Sequence, residues 1–153
     1  MAELDATDSK LLALLQNDAR RTNRDLAAAL GVAPSTCLER VRSLRRRGMI
    51  VGYHAQVDLA AVGRPLQAMI AVRVRPPNRA VIAGFRAYVE QLPEVLSVFV
   101  VSGSDDFLIH VAVRDTDQLQ ALVLDKLTRR KELADVRTSL VYEHLRKTEV
   151  TPL

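Results

Sequence analysis

The hydrophobic positions of this chain change their period near residue 66. Before that point, apolar residues recur every three or four positions, which is the spacing of one face of an α-helix. After it, several segments alternate between apolar and polar positions, which is typical of β-strands. The pattern predicts an α+β protein with a helical N-terminal part and a mixed C-terminal part.

Three helices are predicted in the N-terminal part. The first covers residues 4–18, and the second begins after Thr22, a favourable N-cap, and ends at Gly31. The third begins at Pro34, where a missing N–H loses nothing, and ends at Gly48. Two helices joined by a tight glycine turn indicate a helix-turn-helix, in which the later helix enters the major groove of DNA.

The third helix has an apolar and a basic side. Leu38, Val41 and Leu44 follow at i, i+3 and i+6, and we expect them to form its inward stripe. Most basic helices are simply solvated, and some bind membranes, but this one follows a capped helix and a glycine turn. We therefore expect its polar side to face DNA. The predicted contacts are Ser35, Thr36, Glu39, Arg40 and Ser43 near the bases, and Arg45, Arg46 and Arg47 at phosphates.

A short strand is predicted at residues 49–53 as the first limb of a wing. In the segment that follows, Asp58 can cap a single turn that stops at Gly63. We accordingly expect a winged helix-turn-helix domain at 1–53, a linker at 54–65 and a second domain at 66–153.

The second domain is predicted to have the order βαββαβ, the ferredoxin-like plan with both helices on one face of an antiparallel sheet. The predicted strands cover residues 66–75, 95–102, 107–114 and 136–145, and the predicted helices cover residues 78–92 and 115–129. The second strand is apolar on both sides, so one sheet face needs a further cover. A second copy of the sheet is the most economical cover, which predicts at least a dimer.

Composition and charge narrow the class of partner. The chain carries 22 basic and 18 acidic residues, and 10 basic against 7 acidic residues lie in residues 1–64, which suits a polyanionic partner there. A single cysteine, Cys37, excludes an internal disulfide and a multi-cysteine metal site, and we expect no metal or cofactor. Because no signal-peptide pattern and no apolar run of about 18 residues is found, we expect a cytoplasmic protein without a membrane partner.

The stretch APSTCLERVRSLRRRGMIVGY resembles the recognition helix and wing of the leucine-responsive / asparagine-regulator (Lrp/AsnC) transcription factors. Ala33 departs from the usual Ser before the proline, so the helix lacks a side-chain cap, and Arg45 stands where many members carry Glu. The matching positions are Pro34, Cys37, Arg40, Val41, Leu44, Gly48, Ile50, Gly52 and Tyr53. The βαββαβ order matches the ligand-sensing half of the family, so the resemblance covers residues 3 to about 147.

The segment VSGSDDFLIH (101–110) resembles the family segment V-S-G-D-F-D-Y-L-L, with Ser104-Asp105 in place of Asp-Phe. In the family this turn helps to build a pocket between dimers for an effector, commonly an amino acid. The resemblance implies an effector site made of Gly103, Ser104, Asp105 and Asp106, with Thr138, Ser139 and Leu140 on the opposing wall. Asp106 can bind an ammonium group and the turn N–H groups a carboxylate. The alternative is an ordinary hairpin turn with an acidic tip.

The resemblance implies a sequence-specific DNA-binding transcriptional regulator, not an enzyme, that is modulated by an amino acid or related metabolite and assembles to dimers and often octamers. Some members bind DNA broadly, without a defined operator. Siroheme decarboxylases resemble the same two-domain architecture and are the enzymatic alternative, but they lack a convincing basic recognition helix. Cys37, His54, His110 and His144 show no nucleophile or metal spacing. An RNA-recognition motif is disfavoured because Phe107 is the only aromatic residue on the first and third predicted strands.

Overall fold

The computed structural model describes residues 4–151, which form two compact units. The first unit runs to Ala55 and also includes the segment from Leu145 onward, and the second is Gln56–His144. The C-terminal segment joins the first unit through the side chain of Gln16. Its amide donates to the carbonyl of Val150 at 3.1 Å and accepts from the N–H of Val150 at 2.8 Å. The sequence pattern instead groups these last residues with the second domain.

The first unit contains the three predicted helices, α1 (Ala6–Asn17), α2 (Asn23–Leu30) and α3 (Pro34–Arg46). Asp5 caps α1 by accepting from the N–H of Asp8 at 2.7 Å, and Thr22 caps α2. Gly31 ends α2 in the left-handed conformation, with φ 68°, which glycine adopts at little steric cost. The buried core of this unit consists of Leu11, Leu15, Leu26, Ala27, Cys37 and Leu44.

The predicted wing strand at residues 49–53 is wrong for the single chain. No strand is assigned to the described residues between α3 and Leu66. The predicted turn after it is present, because Asp58 accepts from the N–H of Ala60 and Gly63 closes the turn with φ 77°. A strand requires a hydrogen-bonded partner, and sequence pattern alone does not reveal whether one is supplied.

The second unit has the predicted βαββαβ order, with strands β1 (Leu66–Val74), β2 (Val95–Val100), β3 (Phe107–Val113) and β4 (Leu133–Leu140). Its helices are α4 (Arg79–Val89) and α5 (Thr116–Ala121), and α5 continues as the π-helical segment Leu122–Leu127. The sheet order is β2-β3-β1-β4 with every pair antiparallel. Strand β4 was expected at 136–145, but it begins three residues earlier and ends at Leu140.

The two faces of this sheet differ in cover. Ile70, Val72, Phe107 and Ile109 point towards the helices and are fully or almost fully buried. The opposite face, which we call the open face, carries the alternate residues of the strands. Its central members are Met69, Ala71, Phe99, Leu108 and His110. Phe99 remains 51% exposed there. No described helix is long and apolar enough to cross a membrane.

Candidate nucleic-acid interface and ligand site

The rotation of α3 decides which side chains are available to DNA. Cys37 and Leu44 are completely buried and Val41 is partly buried, so these three residues define its inward side. Leu38 was expected in that stripe, but it is 39% exposed. At about 100° per residue, the side opposite Cys37 carries Ser35, Glu39, Arg42, Ser43 and Arg46.

The outward side of α3 continues into a basic concavity. Arg42, Arg45 and Arg46 line it together with residues 50–53, and its volume is about 480 Å³. All three arginines are exposed. Arg42 was not among the predicted contacts, although its spacing of i+3 from Glu39 places it on the same side of the helix. Three guanidinium groups beside an open groove suit contacts with a phosphate backbone.

Glu39 and Arg46 form an ion pair at 2.7 Å on this outward surface. The hydrogen bond that Arg46 donates lowers the pKa of Glu39, so the Glu39 carboxylate stays ionised. Both side chains are more than half exposed, and exposed pairs of this kind contribute little stability. Arg46 can therefore exchange this partner for a phosphate at small cost.

Arg40 lies elsewhere than the sequence pattern suggests. Its Nη1 donates to the carboxylates of Asp5 and Asp8, each at 2.7 Å. These bonds raise the pKa of Arg40, while the N–H of Asp8 and then Arg40 lower the pKa of Asp5. The expected role of Arg40 near the bases is therefore revised, because its guanidinium is bound to α1.

Arg47 lies on the same flank of α3 and binds Asp8 at 3.1 Å. The side chain of Asp8 is only 8% exposed. In the sequence, Asp8 occupies an inward position among the leucines of the first helix, and a buried carboxylate requires a partner. That position signals that Asp8 needs a cationic partner, but it does not identify which residue supplies it.

The smaller predicted contacts lie at or near the surface of α3. Ser35 and Thr36 are exposed in the first turn of α3, and Ser43 is half-buried on its outward side. In helix-turn-helix proteins, the N-terminal residues of the recognition helix lie nearest the base edges. Ser35, Thr36 and Glu39 lie in these first turns of α3, and their contact with bases stays a prediction.

The predicted effector turn connects β2 and β3, and its acidic residues are already bonded within the chain. Asp105 accepts from Arg137 on β4 and from the hydroxyl of Ser104 at 3.0 Å. Asp106 accepts from the N–H of Val74 at 2.8 Å through Oδ2. The turn is thus tied to both β1 and β4, and Asp106 also has a structural role.

Strand alternation separates the three residues predicted for the opposing wall. Thr138 pairs with Ile70 and Leu140 pairs with Ala68, so both lie on the helix side of the sheet. Ser139 pairs with Met69 on the open face. Because neighbouring residues of a strand point to opposite faces, these three side chains do not form a single wall in one chain. Gly103, with φ 130°, leaves the turn backbone uncovered by a side chain.

The remaining titratable candidates give no catalytic arrangement. Cys37 is fully buried in the first unit, and burial raises the pKa of its thiol. His110 is hydrogen-bonded to Gln67 at 3.0 Å and lies against the ring of His144, with 5.3 Å between centroids. Among the described residues, no group of three or more His, Cys, Asp or Glu side chains is placed to hold a metal ion.

Two successive parts of the chain are similar to known protein domains. Residues 4–45 match the AsnC-type helix-turn-helix domain, and residues 67–151 match the Lrp/AsnC ligand binding domain. The transcriptional regulator AldR of Mycobacterium tuberculosis is 44% identical over 95% of this chain and 81% of its own length. The leucine-responsive regulatory protein of Rhizobium meliloti is 35% identical over 94% of this chain and 92% of its own length.

A solved structure shares the whole architecture. It is the complex of a Neisseria meningitidis transcriptional regulator with L-Met, which has a TM-score of 0.90 and 34% sequence identity and covers 98% of this chain and 97% of that one. The matched regions include the recognition helix and the βαββαβ unit described above. The chain therefore belongs to the Lrp/AsnC family of DNA-binding transcriptional regulators and is not an enzyme.

Proposed function

We propose that this regulator binds double-stranded DNA through the outward side of α3 and the adjoining basic concavity. The observation that carries the proposal is the alignment of Arg42, Arg45 and Arg46 beside an exposed polar helix face. The arginines bind phosphates, which supplies affinity and orientation but no sequence information. Ser35, Thr36 and Glu39 read base edges from the first turns of the helix.

Glu39 has a specific part in this arrangement. A carboxylate accepts hydrogen bonds only, and in the major groove it matches the N4 amino group of cytosine. Arg46 holds the carboxylate in the free protein and moves to a phosphate in the complex. We therefore propose that the operator contains a cytosine opposite Glu39.

This interface is tested by comparing Glu39→Gln with Arg46→Gln on two duplexes, one selected in vitro by the wild-type protein and one of random sequence. Glu39→Gln should cost about 1–3 kcal/mol on the selected duplex and little on the random one. Arg46→Gln should weaken both alike and flatten the slope of log K against log salt by about 0.9. Wild-type binding of both substitutions on both duplexes would rule the interface out.

We further propose that an amino acid or related metabolite binds beside the turn of residues 103–106. Support comes from the ligand-binding family of this unit, from the relative that was solved with L-Met, and from the charged groups at the turn. Arg137, whose side chain is 56% exposed, can bind the effector carboxylate, and Asp106 and the turn N–H groups complete a polar site. A neighbouring copy completes its walls, because the three β4 residues do not share a face.

The effector is tested by thermal shift with the twenty amino acids. A ligand that binds only the folded state raises the melting temperature. A ligand found in this way should lose its effect on Arg137→Gln and keep it on Arg129→Gln, which removes an exposed arginine from the end of the helical layer. If the effect survives Arg137→Gln, the carboxylate is bound elsewhere.

We also propose that the chain forms a dimer through the open face and that dimers associate further, up to octamers, in the cytoplasm. The half-exposed Phe99 and the partly buried Met69, Ala71 and Leu108 of the open face support the dimer. A ligand between dimers would favour the assembly that it binds best, and the assembly sets the spacing of the recognition helices. Light scattering with and without the effector measures this coupling, and an assembly that never changes with ligand would contradict it.

A further inference from the structure

The carboxylates of Asp5 and Asp8 hold one flank of the recognition helix. Asp8 is buried on α1 and faces α3, where its two oxygens bind Arg40 at 2.7 Å and Arg47 at 3.1 Å. Asp5 binds the same Nη1 of Arg40 from the start of α1. Two of the five arginines between Arg40 and Arg47 are thereby directed towards α1.

This arrangement changes the charge that α3 presents. Two carboxylates offset two guanidinium groups on the flank, while Arg42, Arg45 and Arg46 lie on the exposed side, where Arg46 forms a solvent-exposed pair with Glu39. The side chain of Arg40 is still 31% exposed. An arginine side chain is long enough to turn from one partner to another when the first is removed.

We propose that Asp5 and Asp8 are specificity-determining residues that withhold Arg40 from the DNA phosphates. A phosphate contact strengthens binding to every sequence alike. An additional mobile arginine on α3 would raise non-specific affinity without improving base recognition, so the ratio of operator to non-specific affinity would fall. The same ion pairs tie this flank of α3 to α1. This inference rests on the proposed DNA interface.

The first experiment compares Arg40→Gln with Arg42→Gln, two arginines one half-turn apart on the same helix. Binding to a 30-bp random duplex is measured by fluorescence anisotropy from 50 to 200 mM salt. Each phosphate contact contributes about 3.5-fold to the loss of affinity over this range, from the slope of about 0.9 per phosphate. Arg42→Gln should make the loss of affinity over this range smaller by one such factor. Arg40→Gln should leave the salt dependence unchanged.

The second experiment releases Arg40 by the double substitution Asp5→Asn/Asp8→Asn. Asn retains the shape of both side chains and is itself a good N-cap for α1. The loss of affinity between 50 and 200 mM salt should become about 3.5-fold larger than in the wild-type protein. The preference for the selected duplex over the random one should fall. Asp18→Asn is the control for charge alone, because Asp18 lies in the same unit and accepts from the N–H of Arg20. It removes one negative charge, where the double variant removes two, and it does not release Arg40.

The outcomes distinguish a failure of the proposed DNA interface from a failure of the proposed withholding of Arg40. If neither Arg42→Gln nor Arg40→Gln changes the salt dependence, the proposed interface itself fails. If Arg42→Gln flattens it and Arg40→Gln flattens it equally, Arg40 already contacts DNA and only the withholding role is overturned. The withholding role is also overturned if the folded double variant keeps the wild-type preference for the selected duplex over the random one. Circular dichroism establishes folding, and if the double variant is unfolded, the comparison of the two arginine variants still decides.

Discussion

At the scale of single residues, Ala33 occupies the N-cap position of α3 without a side-chain hydrogen bond to the helix. It has the extended backbone of an N-cap, with φ −66° and ψ 146°, but alanine offers no acceptor to the first N–H groups of the helix. The other helices of the first unit are capped by Asp5 and Thr22. The first turn of α3 therefore has no side-chain acceptor from its N-cap residue, which leaves its N–H groups to water.

Ala33→Ser is expected to stabilise α3 by about 1 kcal/mol, because a serine at an N-cap accepts from the exposed N–H groups. Hydrogen exchange of the α3 amides should slow by about fivefold in consequence. Thr22→Ala is the reverse case and should accelerate exchange in α2 by a similar factor. Unchanged exchange in α3 of Ala33→Ser would mean that the first turn is held by other contacts.

His110 is a second residue whose surroundings set its behaviour. Burial in the sheet and then the neighbouring ring of His144 lower its pKa from 6.5. Between pH 6.5 and the lower value in the folded state, the unfolded chain binds the proton more readily than the folded chain. The free energy of unfolding must therefore fall as the pH drops through this window.

The melting temperature of the wild-type protein should accordingly decrease between pH 7.5 and pH 5.5 by more than that of His110→Asn, which cannot titrate. His54→Asn removes an exposed histidine from the first unit and should keep the wild-type decrease. Equal decreases in the wild type and His110→Asn would show that other groups govern the acid response.

At the scale of elements, the rotation of α3 is the feature that sequence periodicity predicted only in part. The stripe of Leu38, Val41 and Leu44 locates the inward side to within about one residue, but the buried side is centred on Cys37, Val41 and Leu44. Leucine looks more apolar than cysteine, although free cysteine is among the most frequently buried residues. This shift places Arg40 beside α1 and Arg42 on the outward side.

Two leucines of α3 give a direct test of this rotation. Leu44→Ala should destabilise the first unit by about 2–5 kcal/mol, because Leu44 is fully buried and its removal leaves a cavity. Leu38→Ala should cost much less, since Leu38 is 39% exposed. Urea unfolding followed by circular dichroism measures both, and equal losses would contradict the observed orientation of the helix.

The sheet was predictable because its strands follow alternation and its connections contain strong breakers. Pro76-Pro77 and Pro93 separate the elements that precede and follow them, and the βαββαβ order is confirmed. The end of β4 was misplaced because the apolar residues Val141 and Tyr142 continue the pattern beyond the last strand residue, Leu140. Hydrophobic period alone does not indicate where backbone partners end.

The contacts between distant residues were beyond the reach of local pattern. The pairing of Asp105 with Arg137 spans 32 positions, and it depends on β1 lying between β3 and β4. The ion pairs of Arg40 and Arg47 with Asp8 likewise require the packing of α1 against α3. The sequence identifies these charges, but only the assembled fold determines which of them satisfy one another.

At the scale of the whole molecule, the sheet has one helical layer and one open face. The helical side buries a continuous core, whereas Phe99 on the open face is 51% exposed and adjoins Leu108 through strand pairing. A two-fold dimer places the same patch of each copy against the other, so every apolar residue of the patch is buried in both copies. This is the physical basis for expecting assembly through the open face.

Phe99→Lys tests that expectation, because two copies of a lysine would face each other across a two-fold contact and would each lose hydration. Light scattering on a sizing column should give the wild-type protein a mass of at least two chains of 17.0 kDa and the variant a mass of one. Leu124→Lys is the control: Leu124 is 52% exposed but belongs to the helical layer, so the variant should remain at least dimeric even if larger assemblies are lost. A wild-type monomer at micromolar concentration, or a Phe99→Lys dimer as stable as the wild type, would place the contact between copies on another surface.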